Sequence, residues 1–343
     1  MSQVTAAAPQ VADSHNDLLM ACLHRRERGV ADPFGDDWLP GLREGGVIFQ
    51  VLPIFTEEQF VGEGALRRTL ELIGMAREIA NLHTADVGIV EEAGDVDEII
   101  DGGRIALLVA LEGAEPIGSS PSMFDTMWRL GVRMASLTWN RRTMMADGVG
   151  ESDTEGGLTS LGIESIHDME RLGMILDVSH LSAAGLAHVD QVATRPYVAT
   201  HSSCRLLCDH PRNLTDEQIA MTSRSGGFVG INAFGPFIDA VEPTIERYVD
   251  HVEHAVGLAG PASVCIGADF IEDLVRFVDP ILGKALVRPE DLVPILGLSR
   301  PSHYPNLTAA MVERLGLEQA ERVASRNMLD FFRRALPSGS QCM

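Results

Sequence analysis

Short apolar runs recur along the chain, separated by longer stretches in which apolar positions return every three or four residues. The first pattern predicts strands and the second amphipathic helices. Strand candidates lie at residues 11–15, 47–53, 105–112, 132–138, 174–179, 197–201, 228–232 and 264–269. Several are apolar almost without a break, as parallel strands covered on both faces should be. Helical patterns fall at 64–82, 160–172, 183–193, 215–224 and 244–258. This alternation predicts an α/β protein with a parallel sheet. Eight strands fit a closed (β/α)8, TIM-like barrel better than an open sheet, and no Gly-rich fingerprint follows the first strand. The Pro-rich, apolar segment at about 271–302 is expected to be a loop or lid, and about 307–336 one or two closing helices. No low-complexity linker interrupts the chain, so residues 1–343 are read as a single barrel domain.

Composition narrows the partners. A length of 343 residues suits one barrel with insertions, since such barrels take about 250 residues or more. Hydrophobic residues make up 45% and charged residues 22%, enough for a large core. A formal net charge of −22 repels phosphate backbones and anionic membranes, which argues against nucleic-acid binding. No run approaches the roughly 20 apolar residues of a membrane span, and residues 1–10 lack a signal-peptide core. The five cysteines, Cys22, Cys204, Cys208, Cys265 and Cys342, form no CxxC pair. Their odd number suggests reduced, structural thiols and a cytoplasmic protein. A homodimer is entertained as its assembly.

The chemistry-bearing residues gather at strand ends. The first strand ends in Asp13-Ser14-His15-Asn16-Asp17, the third in Glu112 and the fifth in Asp177-Val178-Ser179-His180. The sixth ends in Thr200-His201-Ser202-Ser203 and the eighth in Gly267-Ala268-Asp269. In a barrel these ends converge on one mouth, where active sites lie. His15 and Asp17, two apart, leave the same face of an extended chain. Taken singly, each residue has an ordinary explanation: a surface pair, a buried ion pair, a hydrogen-bonded core histidine. Their conjunction does not, because buried charges cost several kcal/mol each unless paired or metal-bound. Imidazoles and carboxylates suit Zn²⁺ and similar ions. Three His and two carboxylates exceed one tetrahedral ion but suit two divalent ions sharing a bridging carboxylate.

These stretches, in this order, resemble the membrane dipeptidase (renal dipeptidase-like) family of zinc metallopeptidases, in its bacterial type. The likeness runs from about residue 11 to 335 and includes Asp209-His210-Pro211-Arg212-Asn213-Leu214 and Tyr304-Pro305-Asn306-Leu307-Thr308. The resemblance implies a binuclear, commonly zinc, centre: His15 and Asp17 on one metal, His180 and His201 on the other, Glu112 bridging. It implies that Asp269 handles protons alongside Glu112 in catalysis, and that Arg212 holds the terminal carboxylate of a dipeptide. A hydroxide bridging the metals would attack the peptide bond. Trp139 and Asn232 are taken as further substrate contacts. Two departures stand out. Trp139 occupies the position after Leu137-Thr138 where better-known members carry a carbonyl-polarising His, and Trp offers one N–H but no charge. Asp269-Phe270-Ile271-Glu272 replaces the family's Asp-Phe-Asp-Gly.

The leading expectation is therefore a metal-dependent dipeptidase acting on a small peptide. The same machinery acting on a Cys-Gly-like or other amide of a conjugated small molecule is the near alternative. A non-catalytic metal-stabilised barrel would be expected to have lost ligands, yet all six of His15, Asp17, Glu112, His180, His201 and Asp269 are present. A nucleotide-dependent oxidoreductase lacks its motif.

Overall fold

The computed structural model describes residues 8–271, 274–275 and 292–338. Its strands are β1 (Val11–Asp13), β2 (Val47–Phe55), β3 (Val87–Ile89), β4 (Ile105–Glu112), β5 (Val132–Ser136), β6 (Ile175–Asp177), β7 (Tyr197–Val198), β8 (Val229–Ile231) and β9 (Val264–Ile266). Eight run in parallel in the order β7-β6-β5-β4-β2-β1-β9-β8. The two ends meet through a parallel bridge between Ala199 and Val229, where Ala199 N–H donates to Phe228 O and Gly230 N–H to Ala199 O. The (β/α)8 barrel expected from the alternation is thus the observed fold.

β3 was not expected. It pairs with Ile105 to Leu107 on the lower half of the β4 edge, and β5 takes the upper half from Val109 onward. Three residues centred on Gly88 carry too short a pattern to stand out. The other strands mostly stop earlier than their apolar runs, because the last residues of each run leave the ladder to line the mouth. β4 runs the full length of its apolar run to Glu112, and β2 continues past its own to Phe55.

The helices are α1 (Leu18–Glu27), α2 (Leu39–Glu44), α3 (Gly64–Leu82), α4 (Ala93–Asp101), α5 (Met123–Arg129), α6 (Ser160–Leu172), α7 (Ala183–Val192), α8 (Asp216–Arg224), α9 (Gly235–Ile238) and α10 (Ile245–Ala259). After the lid region come α11 (Tyr304–Leu315), α12 (Leu317–Glu321) and α13 (Asn327–Ala335). The starts of α6, α7, α8 and α10 are fixed by Thr159, Ser182, Thr215 and Thr244, whose hydroxyls each accept an orphan backbone N–H of the first turn. Of the lid expected at about 271–302, residues 272–273 and 276–291 lie outside the described residues, as do Glu272 and Cys342.

Strand parity sorts the interior. Along β4, Ala106, Leu108 and Ala110 join one apolar cluster inside the barrel, while Leu107, Val109 and Leu111 join a second beneath the helices. The inward set ends in Glu112. At the opposite end of the barrel Phe49 stacks on Phe332 of α13, with ring centroids 4.9 Å apart and 14° between planes. Phe228 meets Phe331 edge-on at 5.1 Å. α13 thereby plugs the N-terminal end.

Candidate active site

At the C-terminal mouth, the ends of β1, β4, β6, β7 and β9 bring His15, Asp17, Glu112, His180, His201 and Asp269 into one buried cluster. Glu112 Oε1 lies 2.7 Å from His180 Nε2, 3.4 Å from His201 Nε2 and 3.6 Å from His15 Nε2. His180 Nε2 and His201 Nε2 are 2.8 Å apart, a distance at which two lone pairs repel unless a proton or cation lies between them. The His15 and His201 rings lie 3.6 Å apart, centroid to centroid.

The donors fit divalent ions. Two overlapping triads, His15–Glu112–His201 and His15–Asp17–Asp269, each hold their ligand atoms within 4.8 Å of one another. His15 Nε2 and Asp17 Oδ1 are buried with no hydrogen-bond partner, a costly state that a cation between them would relieve. Burial pushes the Asp17 carboxyl well above the usual range, with Glu112 adding repulsion. Asp269 is pushed up to about 6, first by burial. Burial, followed by the Arg212 guanidinium, lowers His180 to about 3. Burial alone would lower His15, but the facing Glu112 carboxylate outweighs it and raises the imidazole to about 10. His15 in turn, against the effect of burial, holds Glu112 well below the usual carboxylate range. Desolvation thus favours the neutral forms of Asp17, Asp269, His180 and His201, and only the His15–Glu112 pair is driven toward charge.

Asp269 sits in the left-handed region at φ 54°, which Asp tolerates better than most residues. Its N–H donates to His15 O at 2.9 Å, which fixes the turn against β1. Asn232 lies behind it. Its Nδ2 donates to Asp269 Oδ2 at 2.8 Å, and its Oδ1 accepts the Phe234 N–H. Arg212 is buried, donating from Nη1 to Ser179 O and from Nη2 to His201 O at 3.2 Å. Its guanidinium still lines the cavity beside His180 and His201.

Trp139 forms one wall. Its ring is 5.0 Å from Phe55 and 5.6 Å from His180, with the Arg141 guanidinium 5.0 Å from its face. Arg141 is itself tied to Glu58 and Glu115, each at 2.6 Å. Met20, Phe55, Phe237, Ile271 and Leu274 complete the apolar side. Sequence reasoning missed these residues and Asn140. Phe55 has the inward parity of Val51 and was legible in principle, but the others come from loops and from helices α1 and α9, with no periodic signal.

A closed parallel barrel with a buried His–carboxylate cluster at its C-terminal mouth defines the class, an α/β barrel of the kind that carries metal centres at that end. The profile of the membrane dipeptidase family (peptidase family M19) matches residues 2–281. The chain is 35% identical over 207 residues to dipeptidase verJ of Clonostachys rogersoniana, covering 60% of this chain. It is 29% identical over 280 residues to dipeptidase tcpJ of Claviceps purpurea, covering 80% of this chain. It spans only 53% and 61% of those two proteins' lengths. The solved structure of dipeptidase AC superposes with a TM-score of 0.83 at 25% identity, covering 96% of this chain and all of that one. The chain belongs to the membrane dipeptidase family. Among the described residues no helix is long and apolar enough to cross a membrane.

Proposed function

We propose that this chain is a metal-dependent dipeptidase that holds two divalent ions, zinc by the chemistry of its donors. One observation carries the reading: five strand ends deliver three imidazoles and three carboxylates to one buried pocket, two of whose ligand atoms have no hydrogen-bond partner. His15 and Asp17 would hold one ion, His180 and His201 the other, and the Glu112 carboxylate would serve both. Bound there, the ions would polarise the scissile carbonyl and lower the pKa of a water. Asp269, beside the cluster and oriented by Asn232, would take a proton from the attacking water and pass it to the leaving amine. Arg212 holds the substrate's free carboxylate, for which its planar fork is suited. The Phe55–Trp139 wall accepts an apolar side chain of the dipeptide. The free, buried state of Cys22, Cys204, Cys208 and Cys265 supports a cytoplasmic setting.

The test combines metal analysis with a dipeptide panel. The purified protein is expected to carry about two ions per chain and to hydrolyse dipeptides with apolar side chains. Amidating the substrate's C-terminus and Arg212→Ala should cost about the same, and the two together no more than either, because they delete one interaction. Additive losses would move Arg212 out of the carboxylate site. A metal-loaded protein that ignores every dipeptide but cleaves a Cys-Gly-like conjugate would shift the substrate class and keep the machinery.

A further inference from the structure

The three imidazoles of the cluster are not held alike. His180 Nδ1 faces Asn140 Oδ1 at 2.8 Å. His15 and His201, from the ends of two different strands, both turn Nδ1 toward one atom, Thr200 Oγ1, at 3.4 and 2.9 Å. That hydroxyl has one proton and two lone pairs to distribute. It lies 2.6 Å from Asp177 Oδ2, and a carboxylate only accepts, so the proton goes there. The nearby Ser179 hydroxyl cannot supply another to Thr200, since it donates to Asp177 Oδ1 at 2.6 Å. Toward both imidazoles Thr200 Oγ1 can therefore only accept. Nδ1 of His15 and of His201 must each carry the proton, which leaves the Nε2 lone pair of each ring facing Glu112.

The position of Thr200 is itself built. Ser14 Oγ donates to the Thr200 carbonyl oxygen at 2.6 Å and reaches Ile266 O at 2.9 Å. A Cβ on Gly230 or on Gly267 would collide with that same carbonyl oxygen and with Ser14 Oγ. The close approach of β7, β8, β9 and the end of β1 at this level therefore requires glycine at both positions. Thr200 and Asp177 are both buried.

We infer that Thr200, with its proton anchored on Asp177, is a positioning residue that sets the tautomer of one histidine from each half of the metal centre and so couples the two ion sites through a single hydroxyl. The inference rests on the two-ion reading above. Residues behind metal-ligating histidines are typically worth about 10–100-fold in metal affinity. Thr200→Val should weaken both ions by that factor, Thr200→Ser should restore both, and Asn140→Leu should weaken only the ion held by His180.

The experiment titrates chelator-stripped wild type and the three variants with zinc against a competing chelator, with melting curves as a check on folding. In the zinc-loaded wild type, NMR of ¹⁵N-labelled imidazoles should find a slowly exchanging Nδ1 proton on both His15 and His201. Thr200→Val should speed exchange at these two rings and leave His180 unchanged, which a merely structural role would not do. Unchanged zinc binding by Thr200→Val, loss of only one ion, or failure of Thr200→Ser to rescue would each overturn the inference. If Thr200→Val does not fold, Thr200→Ser and the wild-type tautomers decide, and an Nε2 proton on either ring overturns it. A wild type that takes up no zinc overturns the two-ion reading itself, a different outcome from any of these.

Discussion

The two ends of the barrel are made from the same strands with the same parity and opposite chemistry. At the N-terminal end, inward positions carry Phe49 and Phe228, which Phe331 and Phe332 of α13 cover with stacked and edge-on rings. At the C-terminal end, inward positions or their immediate successors carry Glu112, Asp177, Thr200, His201 and Asp269. The apolar end satisfies itself: removing that surface from water contributes about 25 cal/mol per Å² and needs no partner. The polar end does not. It leaves His15 Nε2 and Asp17 Oδ1 buried without a hydrogen-bond partner, a cost that bound cations or substrate would offset. One end therefore supplies stability that the other uses up in holding a ligand-ready site.

The sharpest way to break this comparison is to remove the ions. Chelation is expected to abolish hydrolysis while far-UV circular dichroism persists, because the Phe49–Phe332 end does not depend on metal. Glu112→Ala should loosen both ions at once. Full activity after exhaustive chelation would end the two-ion reading, and outright unfolding would show that the ends are not independent. Next in size is Asp269→Asn, for which kcat should fall by roughly 10²–10⁴-fold with metal content nearly intact. Equal loss of metal and activity would make Asp269 a ligand, a role that its closeness to His15 and Asp17 permits.

At the other end, Phe332→Ala should cost about 3–5 kcal/mol in stability by denaturant titration, since the ring is fully buried. Metal content and the kcat of the folded molecules should not change. A fall in kcat per folded molecule would mean that packing at the bottom sets geometry at the top. The smallest effect is expected of Trp139→His. It should alter preference across a dipeptide panel more than it alters the best kcat, by replacing part of the apolar wall with a polar ring. An inert wild type that gains broad activity on this change would mark Trp139 as the sign of a redirected function.

Much of the molecule was legible along the chain. The helices at 64–82, 160–172, 183–193, 215–224 and 244–258 agree with α3, α6, α7, α8 and α10 to within about two residues. Apolar periodicity and Thr or Ser at the start are local signals, and they mark both the buried face and the point where a helix begins. The cluster at the mouth was legible for a related reason. A strand buried on both faces is apolar by necessity, so a His, Asp or Glu at the end of one is conspicuous, and in a parallel barrel all such ends share one side. The short β3 and helices α1, α4 and α5 were not, because their patterns are brief or mixed.

What the sequence determined, then, was the alternation of elements, the family, and which polar residues would crowd one end. Tertiary structure alone decided how those residues meet. No local pattern relates His15 to Thr200 across 185 positions, places Asn232 behind Asp269, or gathers Phe55 and Arg141 against Trp139. Periodicity encodes which face of an element is buried, a property of neighbours along the chain. Hydrogen-bond partners depend on barrel closure and register, and these are fixed only when the Ala199–Val229 bridge brings β7 to β8 and Gly230 and Gly267 let the backbones close to contact.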